Sequence, residues 1–263
     1  MLGKLLKYDL KWIYKVVGVF YVLAFIFSIL GRTISLIEDS LVFSIITKVL
    51  FGFAIAMIVN SLVNCMMRLW VRFIRNIYKD ESYLTHTLPV SKTTIYASKI
   101  IATIISIFVT IAVSVICLFI CYYSKENMEI LKTLLEIAAT TYNTTVIKLL
   151  LLIIFAIFLE IIYIMLVGYV GIIFGYKSNR NKMLNTLLVG FVSYMAMQVL
   201  SLGIIYLIAL FNSDIMNLFN TINIVDIDII KKVMYIAIGI YSLYIVILYI
   251  IGNKALKKGV NVD

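Results

Sequence analysis

Proline and histidine are almost missing from this chain: 263 residues contain one of each, and they stand close together at Pro89 and His86. A single histidine excludes the histidine-rich ligand sets of catalytic zinc sites. The three cysteines, Cys65, Cys117 and Cys121, are odd in number and show no Cys-x-x-Cys spacing, so neither a disulfide framework nor a metal centre is expected. Charge is scarce as well: Asp, Glu, Lys and Arg make up 14% of the residues, against roughly a quarter in soluble domains. With so little proline, and no Pro/Gly-rich stretch, no linker divides the chain, and one membrane domain over residues 1–263 is predicted, with no soluble domain. Gly-x-x-x-x-Gly-Lys-Ser/Thr does not occur, so the chain has no loop of its own to cradle a nucleotide phosphate. The short connections leave no room for an ordinary enzyme, and no catalytic residue is expected.

What is abundant is apolar sequence, 63% of the residues. A spanning helix needs about 20 mainly apolar residues, and six runs meet that need, near residues 13–30, 41–63, 99–123, 149–174, 183–211 and 233–251. The runs are continuous rather than alternating, which excludes a barrel and predicts an all-α protein of six transmembrane helices. The apolar run behind the basic N-terminal segment is too long for a cleaved signal and lacks a small-residue cleavage site, so it is read as the first anchor. Met1 to Lys15 itself, with Leu2, Leu5, Leu6 and Tyr8 or Asp9 at helical intervals among lysines, reads as an interfacial amphipathic helix, Trp12 and Tyr14 lying at headgroup level. The alternative is a plain basic flank.

Lysine and arginine set the orientation. Lys4, Lys7, Lys11 and Lys15 precede the first run, and Arg68, Arg72, Arg75, Lys79, Lys92 and Lys99 surround the second-to-third connection. Lys177, Arg180 and Lys182 lie in the fourth-to-fifth connection, and Lys254, Lys257 and Lys258 in the tail. These sixteen face six on the alternate side: Arg32, Lys125, Lys132, Lys148, Lys231 and Lys232. Both termini are therefore expected in the cytoplasm of a multi-pass cell-membrane protein. The net charge of +10 collects where the anionic inner leaflet lies, and no nucleic-acid partner is needed to explain it. Glu38, Asp39, Glu126, Glu129, Glu136, Asp214, Asp226 and Asp228 then all fall outside. Residues 124–148 are long enough for a short outer helix. Residues 212–232 mix apolar and polar residues in a way that suits a segment dipping back into the outer leaflet.

Within the apolar runs, Gly168, Gly171 and Gly175 sit at helical steps, and small residues so spaced bring helices together. Glu160 is the one acid near the middle of a run. Ionised there it costs about 2.5 to 3.5 kcal/mol on insertion scales, so it needs protein or water, with a partner or a proton. Lys48, in the second run, is the candidate partner: counted from the same side, the two differ in depth by roughly 6 Å. Otherwise Lys48 reaches outward to the headgroups and Glu160 stays protonated. Tyr194, Gln198 and Ser201 share one face of the fifth run, and Asn60 and Asn64 one face of the second. Such stripes either line a pathway or hold helices together by hydrogen bonds.

The second-to-third connection, residues 68–92, differs from all of these. Arg68, Arg72 and Arg75 are spaced along one side of a helix prolonged beyond the membrane. The chain then passes Lys79-Asp80-Glu81-Ser82, presents Tyr83, Leu84, His86 and Leu88, and restarts at Ser91, placed to cap the next helix. Pro89 forces Leu88 out of helical geometry. Exposed Tyr83, Leu84 and Leu88 favour burial against another surface.

The run Asp80-Glu81-Ser82-Tyr83-Leu84-Thr85-His86-Thr87-Leu88-Pro89-Val90-Ser91-Lys92, followed by Ser98-Lys99, resembles the loop between the second and third helices of bacterial ABC-2-type transporter permeases. His86 stands where that pattern usually has an aromatic residue. The basic start, six spans and helical outer segment are similar in layout too. The resemblance implies a dimeric transmembrane unit, formed with a second copy or a related permease. Two separate ATPase subunits carrying ATP and Mg would sit below it, docking on Asp80, Glu81, Tyr83, Leu84, Thr85, His86, Thr87, Leu88 and Pro89, with Arg68, Arg72 and Arg75 passing the motion on. Export of a peptide, an antibiotic or a lipid-like molecule is the implied activity. Two other classes compete: an ion-coupled secondary carrier with Glu160 as proton relay, and an intramembrane enzyme using Glu160 and His86, which the sequence places far apart along the membrane normal.

Overall fold

The computed structural model describes residues 1–37, 40–178, 181–212, 215–216 and 227–259. These form helices and their connections, with no strand among the described residues. Six of the helices are long and apolar enough to cross a membrane, as the apolar runs predict. The chain divides into two compact units, Met1–Leu131 and Lys132–Asp263.

The first unit is built from α1 (Leu2–Ile34), α2 (Leu41–Ile77), the single-turn α3 (Ser82–Thr87) and α4 (Lys92–Tyr122). The N-terminal segment is not a separate interfacial helix. It forms the first turns of α1, and the helix runs unbroken into the apolar segment. Nothing between Lys15 and Ile34 breaks it, and one buried stripe, Asp9, Ile13, Val17, Tyr21, Ala24, Ser28 and Gly31, continues along its whole length. The steps of three and four in that stripe are those of a helix lying against neighbours, here α2 and α4. Trp12 lies beneath the guanidinium groups of Arg68 and Arg72, 4.7 and 5.4 Å from its ring centre.

Lipid tails are as apolar as leucine, so helices in a membrane gain little by burying large side chains and instead bring small ones together. The interior of the first unit holds many such small residues beside larger ones such as Ile13, Phe73, Tyr96 and Ile107. Ser28, Ser61, Ser98, Thr103, Ser106 and Thr110 are all buried, whereas Val22, Phe108, Ile116 and Phe119 are exposed. Thr103 and Thr110 donate to carbonyls of their own helix, and the hydroxyls of Tyr21 and Thr110 meet at 2.7 Å across α1 and α4. A Cβ on Gly31 would stand 2.6 Å from the Phe51 ring, so the absent side chain sets how closely α1 and α2 approach.

Both helices flanking α3 outrun the apolar segments read from the sequence. At 1.5 Å per residue, α2 with its 37 residues is about 55 Å long, against a hydrocarbon core of about 30 Å. Its extension carries Arg68, Arg72 and Arg75, as their spacing suggests. α4 begins at Lys92, with Ser91 Oγ accepting from the Thr94 amide at 3.2 Å, and Leu88 before Pro89 is extended. The helix predicted within residues 124–148 is α5 (Lys125–Thr141).

The second unit holds α6 (Val146–Gly175), α7 (Lys182–Leu210) and α8 (Ile227–Lys257). Gly171 and Gly175 pack on α7: a Cβ on Gly171 would lie 3.0 Å from Gly190 Cα, and one on Gly175 would lie 2.5 Å from the Thr186 backbone. The glycine spacing is thus a packing face. Glu38, Asp39, Arg180, Asp214 and Asp226, and most of the segment 212–232, lie outside the described residues.

Candidate functional site

The connection between α2 and α4 is held by a closed ring of five polar side chains. α1 supplies Asp9, α2 supplies Arg72 and Asn76, the loop supplies Glu81, and α4 supplies Lys99. Arg72 Nε donates to Asp9 Oδ1 at 2.9 Å, and its NH1 group reaches Glu81 Oε1 and Oε2 at 2.8 and 2.7 Å. Lys99 Nζ donates to both oxygens of Asp9, at 2.7 and 2.8 Å, and to Asn76 Oδ1 at 2.7 Å. The Asn76 amide then closes the ring by donating to Glu81 Oε2 at 2.6 Å. Two anions and two cations alternate, so the cluster is neutral. Asp9 is 2% exposed and Lys99 5%.

Charges at such depth survive only if each is paired and hydrogen-bonded. Desolvation offsets most of the Coulombic gain, so the ring contributes little net stability. What it fixes is geometry, since losing any member strands another. One short loop is thereby tied to α2, and through Arg72, Asn76 and Asp9 to α1 and α4.

The loop has two faces. Inward, Ser82 and Thr85 are buried, Thr85 Oγ1 donates to the Glu81 carbonyl, and half-buried His86 places Nε2 3.2 Å from the Ile77 carbonyl. At the rim, Asp80 pairs with Arg75 at 3.2 Å. Outward, Tyr83 is 77% exposed and Leu84 67%, with Thr87, Leu88 and Pro89 exposed beside them. The nine loop residues thus divide into those that hold the loop in place and those that present a surface.

The remaining candidates lie elsewhere. Asn60 and Asn64 donate to carbonyls of their own helix, those of Ala56 and Asn60. Lys48 is exposed on α2 in the first unit, and Glu160 exposed on α6 in the second. Tyr194 joins a tyrosine cluster: its ring centre lies 6.1 Å from that of Tyr163, which also meets Tyr241 at 5.4 Å and Tyr244 at 5.9 Å. Ser201 and Tyr244 share the Met197 carbonyl as an acceptor. Gln198 is half-buried on the same helix. Cys65, Cys117 and Cys121 are buried thiols.

Asp9, Asn76 and Lys99 are the ring members whose part local spacing does not announce. A signal for Asp9 is present all the same. It is the only acid in the first 37 residues, and counting back four from the stripe Ile13, Val17 and Tyr21 lands on it.

The long apolar helices define a multi-pass membrane protein, one with a charge-clamped loop at an end of its first unit. Set against protein-family models, curated proteins and solved structures, the chain matches none.

Proposed function

We propose that this chain is the membrane-spanning permease subunit of an ATP-driven exporter, and that α3 is the surface on which a separate ATPase subunit docks. The observation that carries this reading is the pairing of opposite properties in one short loop. Tyr83 and Leu84 stand in solvent, where an apolar pair gains by being covered, and the loop is locked by ions to α2 and, through Arg72, Asp9 and Lys99, to α1 and α4. A push on Tyr83 and Leu84 cannot be absorbed by a hinge. It passes through Glu81 to Arg72, and from there through Asp9 and Lys99 into three helices as a rigid-body shift. In this reading the loop and both termini face the cytoplasm, ATP and Mg belong to the partner, and a second permease copy or a related permease completes the pathway. The cargo leaving the cell is a peptide, an antibiotic or a lipid-like molecule.

The test is purification of the tagged chain in mild detergent. An ATPase subunit is expected to accompany the wild type, with no ATP hydrolysis by the chain alone. Central apolar anchors in interfaces are worth about 2 kcal/mol or more. Tyr83→Ala with Leu84→Ala should therefore weaken ATPase association at least roughly thirtyfold and stop transport, leaving the thermal stability of the permease unchanged. Undiminished association and transport in that variant would remove α3 from the mechanism.

A further inference from the structure

Helix α5 joins α4 to α6, both of them long and apolar enough to span, and is itself amphipathic along its length. Ile130, Leu134 and Ile137 follow one another at steps of four and three, with Leu131 beside them, and all four are exposed, Leu134 by 60%. Lys125, Glu129, Lys132 and Glu136, at steps of four, three and four, form the opposite face, where Lys132 pairs with Glu136 at 3.8 Å. Both ends of α5 are held close to apolar sequence. α4 carries no charge from Ile100 to Tyr122, and only Tyr123 and Ser124 separate it from α5. Asn127 pins that corner: its Nδ2 donates to the Tyr122 carbonyl at 3.1 Å, and its amide donates to Ser124 Oγ at 3.0 Å. At the other end Asn143 is left-handed, with φ 47°, and α6 starts at Val146 with Lys148 as its one charge before Glu160. The start of α6 therefore belongs at the bilayer, as the end of α4 does. The four connecting residues, 142–145, reach at most about 14 Å, whereas α5 with its 17 residues is about 25 Å long. Standing upright, α5 would carry its far end beyond that reach. Lying along the bilayer surface, it would not.

We infer that α5 lies in the bilayer surface, with Ile130, Leu131, Leu134 and Ile137 among the acyl chains and Glu129, Lys132 and Glu136 turned to water. The partner is a phospholipid surface, zwitterionic as readily as anionic. With two lysines against three glutamates, the helix gains nothing from negative headgroups, and apolar burial is what holds it. Tethered at both ends to the bilayer, its apolar face has acyl chains within reach without any partner protein.

The full chain is labelled with a nitroxide at single introduced cysteines along α5 and reconstituted in phosphatidylcholine vesicles, the native thiols being buried. Collision with oxygen, which dissolves among acyl chains, and with a water-soluble nickel chelate reads the depth of each label. Labels on Ile130→Cys, Leu134→Cys and Ile137→Cys should lie roughly 5 to 10 Å into the boundary between headgroups and acyl chains, meeting oxygen and missing nickel. Labels on Glu129→Cys, Lys132→Cys and Glu136→Cys should show the reverse. All six positions are exposed, so the substitutions leave the packing intact. Adding phosphatidylglycerol should leave the depths unchanged. Nickel access at every position puts the helix in water, and shielding from both reagents at the three apolar positions puts a protein against it. Either result overturns the inference. Labels that sink only when phosphatidylglycerol is present overturn attachment by apolar burial.

Discussion

Asp9 accepts from both Arg72 and Lys99, so replacing it with asparagine leaves a buried ammonium group whose remaining described partner is Asn76. Removing one member of a buried pair costs about 3 to 5 kcal/mol, because its partner stays behind uncompensated. Asp9→Asn is expected to lower stability by about 3 kcal/mol, read as a drop in apparent Tm by size-exclusion chromatography after heating in detergent. Lys99→Met should cost a similar amount. The double variant should be less destabilised than the sum, since neither charge is then stranded. Strict additivity would mean the two groups do not depend on each other. The sequence partly announced this residue. It placed Asp9 on a helix among lysines, where the natural reading was a membrane surface. Its cations lie 63 and 90 residues away, beyond the reach of any local spacing rule.

At the scale of elements, hydropathy was enough to place the spanning helices, because a long apolar run has few other structures available in lipid. Helix ends were less legible. The extension of α2 to Ile77 and the start of α4 at Lys92 depend on ion pairs and on the Ser91 cap, which hydropathy does not record. The loop was read well where chemistry is local, at Ser91, Pro89 and the arginine spacing, and poorly where it is not, as with Lys99, whose partner Asp9 lies 90 residues away on α1. The glycine face of α6 gives an element-level prediction. Gly175→Ala puts a methyl group 2.5 Å from the Thr186 backbone and should cost about 1 to 3 kcal/mol through overpacking. A Cβ on Gly239 in α8 meets nothing within 4 Å, so Gly239→Ala should be neutral or stabilising by up to about 1 kcal/mol. Thermal denaturation of the two variants side by side checks the opposite signs.

For the molecule as a whole, the lysine and arginine asymmetry predicts which ends of the helices share a side of the membrane. Lys79 precedes α4 and Lys125 follows it, both exposed, and the 31 residues of α4 span about 46 Å. Lys79→Cys should react with an impermeant maleimide only from the inner face, and Lys125→Cys only from the outer. The native thiols are buried and should give a low background in intact vesicles. Labelling of both positions from one side would overturn the six-span topology. The proposed exporter needs this arrangement, since an ATPase can reach Tyr83 only from the side where ATP is made.

The ring also sets a schedule for biosynthesis. Asp9 leaves the ribosome before its cations do, and Lys99 follows it 90 residues later. At about 5 to 20 residues per second, that anion waits roughly 5 to 18 seconds for its second cation. Until Arg72 is made, 63 residues after Asp9, α1 enters the bilayer with a carboxylate that has no permanent counter-ion, and its depth there is provisional. Final seating of the first helix belongs to the moment when the start of α4 emerges, so a pause in translation between these points lengthens the time in which the nascent protein is most open to misinsertion and degradation.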